Sequence, residues 1–123
     1  MEKEIETFFK NSPELLALFE HLKEVLFARM DPIGISVQKT QIAFRSRRSF
    51  AYVWLPIRPM KNRPDLYFIL SFGLDHLISS PRIVEAVEVR PNRWTHHLII
   101  SKCSEIDEET LNWLYQAFQF SLR

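Results

Sequence analysis

Two histidines stand side by side at positions 96 and 97, inside the run Arg93-Trp94-Thr95-His96-His97-Leu98-Ile99-Ile100. Histidine titrates near neutral pH, ligates metals and moves protons, so an adjacent pair raises the question of a shared site. The flanking residues are aromatic, β-branched and apolar, the composition of a strand. Successive strand side chains point to opposite faces. His96 is therefore expected to share a face with Trp94, Leu98 and Ile100, and His97 with Thr95 and Ile99. Such a pair does not converge on one ion. Zinc needs three or four converging ligands, and the chain has neither Cys-x-x-Cys nor His-x-x-x-His, while His21 and His76 stand at no helpful spacing. The expectation is no metal and no cofactor. His96 reads as a core histidine bonded to backbone or a buried carboxylate. His97 reads as the binding candidate, on the face that could open to solvent.

Other chemistry is sparse. The only glycines are Gly34 and Gly73, so there is no glycine-rich phosphate loop, nucleophile elbow or dinucleotide fingerprint. Cys103 precedes the last helical stretch, where a helix N-terminus could activate a thiol, but no base is held beside it by spacing. Asp75-His76 could orient an imidazole, yet it falls in an unassigned stretch. No set of catalytic residues emerges, and a non-catalytic role is expected.

The elements that must position these residues can be read from periodicity. Ser12 and Pro13 suit the N-cap and first position of a helix in which Leu15, Leu18, Phe19, Leu22, Val25 and Leu26 recur at helical spacing. A shorter helical turn at Ile5, Phe8 and Phe9 precedes it. Alternation then takes over in IGISVQ, QIAFR, FAYVWL, LYFILSF, IVEAVEV and RWTHHLII. Pro56, Pro59 and Pro64 mark a loop, and Pro91-Asn92 marks a turn between the last two strands. Asp107 caps a final helix, with Glu108 and Glu109 in its first turn and an apolar stripe of Leu111, Leu114, Ala117 and Phe118. The expected fold is a single α+β domain over residues 1–123. It is a two-layer sandwich with N- and C-terminal helices on one face of a five- or six-stranded, mostly antiparallel sheet.

The first hairpin assigns the faces. With a turn at Arg47-Arg48, Arg45 pairs with Phe50, Ala43 with Tyr52 and Gln41 with Trp54. Phe44, Ala51, Ile42 and Val53 form the compact aliphatic set suited to lie under helices. The other set joins large rings to a guanidinium, a surface that can stack planar groups and hold anions. Charge agrees with that reading. Pro32 to Pro64 contains no Asp or Glu but holds seven of the sixteen bases, leaving nine bases against fifteen acids elsewhere, although the whole chain is only +1. Solubilising arginines on strands are the plain explanation; a basic surface for an anionic partner is the sharper one. The candidate binding set is Arg45, Arg47, Arg48, Phe50, Tyr52, Trp54, Arg58 and His97. The expected partner is nucleic acid or another anionic ligand. The alternatives are a small-ligand or enzyme pocket near His97 and a homodimer through the aromatic face.

Hydrophobic content of 46% and charged content of 25% are those of an ordinary globular domain. Charges and prolines interrupt every apolar run short of membrane-spanning length, and the acidic MEKEIETFFK start lacks a signal core. With one cysteine, the expected location is the cytoplasm, without a membrane partner.

The segment SPRIVEAVEVRPNRWTHHLIISKCSEIDEETLNWLYQAF resembles the closing half of a bacterial family of small domains of unknown function, in which a Trp-Thr-His-His strand runs into an Asp-capped last helix. PELLALFEHLKEVL and KTQIAFRSRRSFAYVWLPIR are similar to its opening helix and first hairpin. The resemblance implies an α+β domain found alone or appended to nuclease-like or restriction-associated modules, which favours nucleic acid as partner. It implies no catalytic residues. The layout also resembles the frataxin-like α/β sandwich, in element order alone.

Overall fold

Three helices and six strands carry the chain, in a computed structural model that describes residues 2–10, 12–56 and 62–123. Helix α1 spans Glu2–Phe8 and α2 spans Pro13–Arg29. The Ser12 hydroxyl accepts the Leu15 N–H at 3.3 Å, satisfying a donor that the first turn leaves unpaired. The strands are β1 (Gly34–Val37), β2 (Ile42–Arg45), β3 (Ser49–Trp54), β4 (Phe68–Leu74), β5 (Ile83–Arg90) and β6 (Arg93–Ile100). They form one fully antiparallel sheet in the order β1-β2-β3-β4-β6-β5. Helix α3, Glu108–Ser121, closes the fold.

Register sorts the side chains. Phe44 pairs with Ala51, Ala51 with Phe72 and Phe72 with His96, so these four lie in one row on one face. All four are completely buried. Helix α2 covers this face where Phe19 stacks 5.8 Å from Phe44, and Phe9 bridges Phe19 to Phe68. Helix α3 covers it where Trp113 stacks 6.0 Å from Phe72. Both terminal helical regions thus pack on the same side of an antiparallel sheet, the expected two-layer sandwich. No helix among the described residues is long and apolar enough to cross a membrane.

The first hairpin departs from expectation at its tip. Ala43 pairs with Tyr52, Phe44 with Ala51 and Ile42 with Val53, as the alternation requires. Arg45, however, pairs with Ser49 rather than Phe50, and the register shifts there. Phe50 is the extra residue of a β-bulge, a feature that re-aims a side chain. Its ring leaves the row of Tyr52 and Trp54, is buried, and meets Phe118 of α3 edge-on at 5.6 Å. Phe50 is therefore a core residue and not part of the outer aromatic face, contrary to the expectation from the sequence. The tip is also tied to α3, because Ser46 hydrogen-bonds Ser121.

The N-terminus of α3 is anchored as firmly. Asp107 accepts the Thr110 N–H at 3.0 Å and receives Arg82 Nη1 at 2.9 and 3.0 Å, while Arg82 also reaches Glu109 and the Glu105 carbonyl. The Thr110 N–H, aided by the Arg82 guanidinium, lowers the Asp107 pKa to about 2. A depressed carboxylate stabilises the fold above its unfolded value and loses that contribution as pH falls toward the folded one. Asp107→Ala is expected to cost about 1 kcal/mol in urea unfolding at neutral pH, and the difference from the parent should shrink below about pH 3. Equal midpoints at neutral pH would refute this role for Asp107.

Candidate functional site

The face of the sheet away from the helices carries the opposite parity. Its central row reads Ser36, Ala43, Tyr52, Ser71, His97 and Glu85 across all six strands. Trp54 lies one step along, opposite Ile69, and Thr95 lies opposite Gly73. The face is not uniformly open. Ala43, Ile69 and Ser71 are buried, whereas Tyr52, Trp54, Thr95 and His97 are half-buried. They line a cleft of about 950 Å³. The β1–β2 turn, Gln38 to Gln41, and the end of α1 at Thr7, Phe8 and Lys10 bound the rest.

A hydrogen-bonded chain holds the cleft floor. Trp54 Nε1–H donates to Ser71 Oγ at 2.8 Å, and Ser71 Oγ lies 2.6 Å from His97 Nδ1. Indole nitrogen can only donate, so Ser71 Oγ accepts from Trp54; the buried serine O–H then needs an acceptor, and His97 Nδ1 is the one within reach, so the serine donates to it. That assigns the His97 proton to Nε2, which faces Glu85 Oε1 at 4.0 Å. The Trp54 and His97 rings meet edge-on, 5.7 Å apart at 84°. Burial pushes the His97 pKa below the ordinary value, and the Glu85 carboxylate opposes this only partly.

His96 does something else. It is completely buried on the helical side, its ring stacks on Phe72 at 4.8 Å, and its Nε2 accepts the Ile78 N–H at 2.9 Å. The backbone expectation for this residue holds. Its proton then sits on Nδ1, which has no hydrogen-bond partner; the Phe72 backbone lies close enough to raise the pKa but not in bonding geometry. Burial dominates and lowers the pKa, with His76 and His97 adding to the same direction. The two adjacent imidazoles thus serve opposite layers. Among the described residues no group of three or more His, Cys, Asp or Glu side chains could hold a metal ion. Cys103 is exposed in the 3-10 turn Cys103–Glu105, ahead of the α3 cap rather than at it.

Three of the candidate residues, Tyr52, Trp54 and His97, come together in one cleft. Arg45 and Arg47 are exposed at the β2–β3 tip. Arg48 folds against α3, donating Nη2 to the Phe120 carbonyl at 3.0 Å and Nε to the Ser121 carbonyl at 3.3 Å. A cation there satisfies carbonyls that the helix end leaves unpaired. Arg58 lies outside the described residues. Sequence reasoning missed Ser71, whose signal was available: it is the one polar residue in the apolar run of β4.

A second cleft, of about 380 Å³, shares Tyr52 and Thr95 with the first and reaches round the end of the sheet to α3, where Phe50, Ala117, Phe120 and Ser121 line it. It runs over Gly73 toward Arg48, Arg90 and Arg93. At Gly73 an added Cβ would meet nothing nearer than 3.9 Å, so the floor is low where the two clefts join.

Residues 5–121 match the family described as Domain of unknown function (DUF5655). The chain belongs to this family. No curated protein and no solved structure matches it. The family membership agrees with the small-domain resemblance and leaves the geometry above as the guide to function.

Both histidines have lowered pKa values, so below about 6.5 the unfolded chain binds more protons than the folded one and stability rises with pH. The melting temperature is expected to fall as pH is lowered from about 7.5 to about 5. In an NMR titration His97 should show the Nε2–H tautomer and a midpoint below 6.5. A midpoint above that value, or protonated Nδ1 in the neutral ring, would discard the hydrogen-bonded chain proposed for the cleft floor.

Proposed function

We propose that this protein is a non-catalytic binding module whose outer sheet face takes single-stranded nucleic acid, and that it acts in the cytoplasm. The observation that carries this reading is the grouping of Trp54, Tyr52 and His97 in the first cleft, with an arginine-lined cleft beside it that shares Tyr52 and Thr95. One end offers rings that can stack bases, Trp54 and Tyr52, with His97 beside them. The other offers Arg48, Arg90 and Arg93, with Arg45 and Arg47 exposed on the neighbouring turn. Aromatic platforms flanked by cations are what a strand of bases and phosphates requires when recognition is by stacking and charge rather than sequence. Lys10 and Lys39 add positive charge beyond Trp54, against the one carboxylate of Glu4. From Trp54 back to Arg48 is six residues of extended chain, roughly 20 Å, room for a few nucleotides.

The catalytic alternative is weaker on chemical grounds. Ser71, His97 and Glu85 lie in one cross-strand row, but Ser71 is buried and its oxygen already accepts the Trp54 proton. A nucleophile needs a free, exposed lone pair and donors for an oxyanion, and the interior of a sheet spends its backbone N–H groups on the ladder. A second reading, a small-ligand pocket over His97, draws support from the size of the first cleft and its ordered floor.

Fluorescence anisotropy with a labelled single-stranded decanucleotide tests the reading. Binding is expected at low salt and should weaken steeply as salt rises. Trp54→Ala and Tyr52→Ala should each reduce affinity by about ten-fold, within the 1–3 kcal/mol associated with one stacked base. Gly73→Val, which fills the junction without backbone strain, should reduce it as well. Absence of binding at low salt would end the nucleic-acid reading. A small molecule that quenches Trp54 fluorescence in its place would favour the second reading. Sedimentation as a dimer that dissociates in Trp54→Ser would favour self-association.

A further inference from the structure

Arg48, Arg93 and Arg123 gather around the ring of Phe120, with guanidinium carbons 5.7, 4.8 and 5.3 Å from its centroid. The sheet order explains how they meet. The start of β3, the end of β4 and the start of β6 are neighbours, so the β2–β3 and β5–β6 turns lie at the same end of the sheet as the C-terminus of α3. Together with Asn92 and Asp75 these residues line a recess of about 410 Å³.

Three like charges around one ring repel one another, and a single carboxylate, Asp75, stands against them. Each cation is nonetheless held in place. Arg48 bonds the last carbonyls of α3, Arg93 Nη1 bonds the Asn92 carbonyl at 2.9 Å, and Arg123 Nη1 bonds Asp75 Oδ2 at 2.9 Å. His76 and Arg123 keep the Asp75 pKa low, so its charge persists at neutral pH. A guanidinium has five N–H donors, and none of the three spends more than two in these bonds. The lining side chains of the recess, three arginines against Asp75, therefore carry a surplus of two positive charges with unspent donors, and Glu88 stands just outside it on the Asn92 N–H.

We infer that this recess binds a phosphate monoester. A monoester carries about −1.5 to −2 at neutral pH and offers three acceptor oxygens, which matches the surplus charge and the spare donors. A diester inside a strand carries only about −1 and would leave the site undercompensated. Resting on the nucleic-acid reading above, the monoester is the terminal phosphate of the bound strand. Arg48, Arg93 and Phe120 line both this recess and the cleft that leads to Tyr52, so a strand lying over Gly73 ends here. The recess would then fix strand polarity on a face that otherwise ignores sequence.

Isothermal titration with unlabelled hexathymidylate tests this, using strands ending in a 5′-phosphate, a 3′-phosphate or hydroxyls only, with phenyl phosphate as the small monoester. One of the two phosphorylated strands is expected to bind about ten-fold tighter than the hydroxyl-ended strand. The double variant Arg93→Gln with Arg123→Gln should erase that advantage while keeping the parent's thermal unfolding. Equal affinities for all three strands would overturn the monoester site and leave the nucleic-acid reading standing. A phosphate preference that survives in the double variant would also overturn it. Binding of phenyl phosphate that depends on the two arginines, with no strand bound, would keep the recess and remove the nucleic-acid reading. Silence from every probe would remove both.

Discussion

The antiparallel register of β4 against β6 is the constraint from which the rest of the molecule follows. It sets Phe72 opposite His96 on one face and Ser71 opposite His97 on the other. On the first face, the stack of Phe72 with His96 and Trp113 forms part of the contact with α3. On the second, Ser71 and His97 order the floor of the cleft and fix the position of Trp54. A slip of β4 by one residue would flip its side chains to the other face. It would carry Ser71 under the helices and Phe72 into the cleft, and break both pairs. Burial of Phe68, Leu70, Phe72 and Leu74 opposes that slip, so hydrophobic packing on one side also specifies polar geometry on the other.

Much of this was legible without coordinates, for local reasons. The caps at Ser12 and Asp107 are short-range devices, and both helices begin where those residues stand. Alternation along β3 and β6 follows from the pleat, so the separation of His96 from His97, and of Val53 from Trp54, needed no partner strand. What escaped depends on contacts between distant parts of the chain. The bulge that buries Phe50 forms where the β2–β3 tip meets α3, through Ser46 on Ser121 and Arg48 on the helix carbonyls. Nothing in the hairpin itself signals that contact. The arginine recess draws on β2–β3, β5–β6 and the end of α3, and becomes visible only once β4 is known to sit between β3 and β6.

The same topology explains why the excess of basic residues between Pro32 and Pro64 understates the basic surface. Arg90, Arg93 and Arg123 lie in the part of the chain that is acidic overall. Glu2, Glu4, Glu6, Glu14 and Glu24 lie on α1 and α2, and Glu108 and Glu109 begin α3. At the end of the sheet where the two turns meet, arginines outnumber the carboxylates Asp75 and Glu88. Folding therefore sharpens a charge asymmetry that the linear sequence spreads out. A near-neutral total is compatible with strong local attraction for an anion, because a surface charge is felt only over about a Debye length, roughly 8–10 Å at physiological salt.

In the function proposed, the cleft floor and the recess divide the work of recognition. His97 sits neutral, its proton on Nε2 and its Nδ1 engaged, so at neutral pH it contributes shape and a donor rather than charge. The rings of Tyr52 and Trp54 supply contact that any base can use, since every base has a flat face. The guanidiniums are the opposite. Carbonyls and one carboxylate already engage them, which lowers the side-chain freedom that an anion would have to restrict. In the function proposed, tolerant stacking beside a charged recess would read an end and a backbone direction without a hydrogen bond to a base edge.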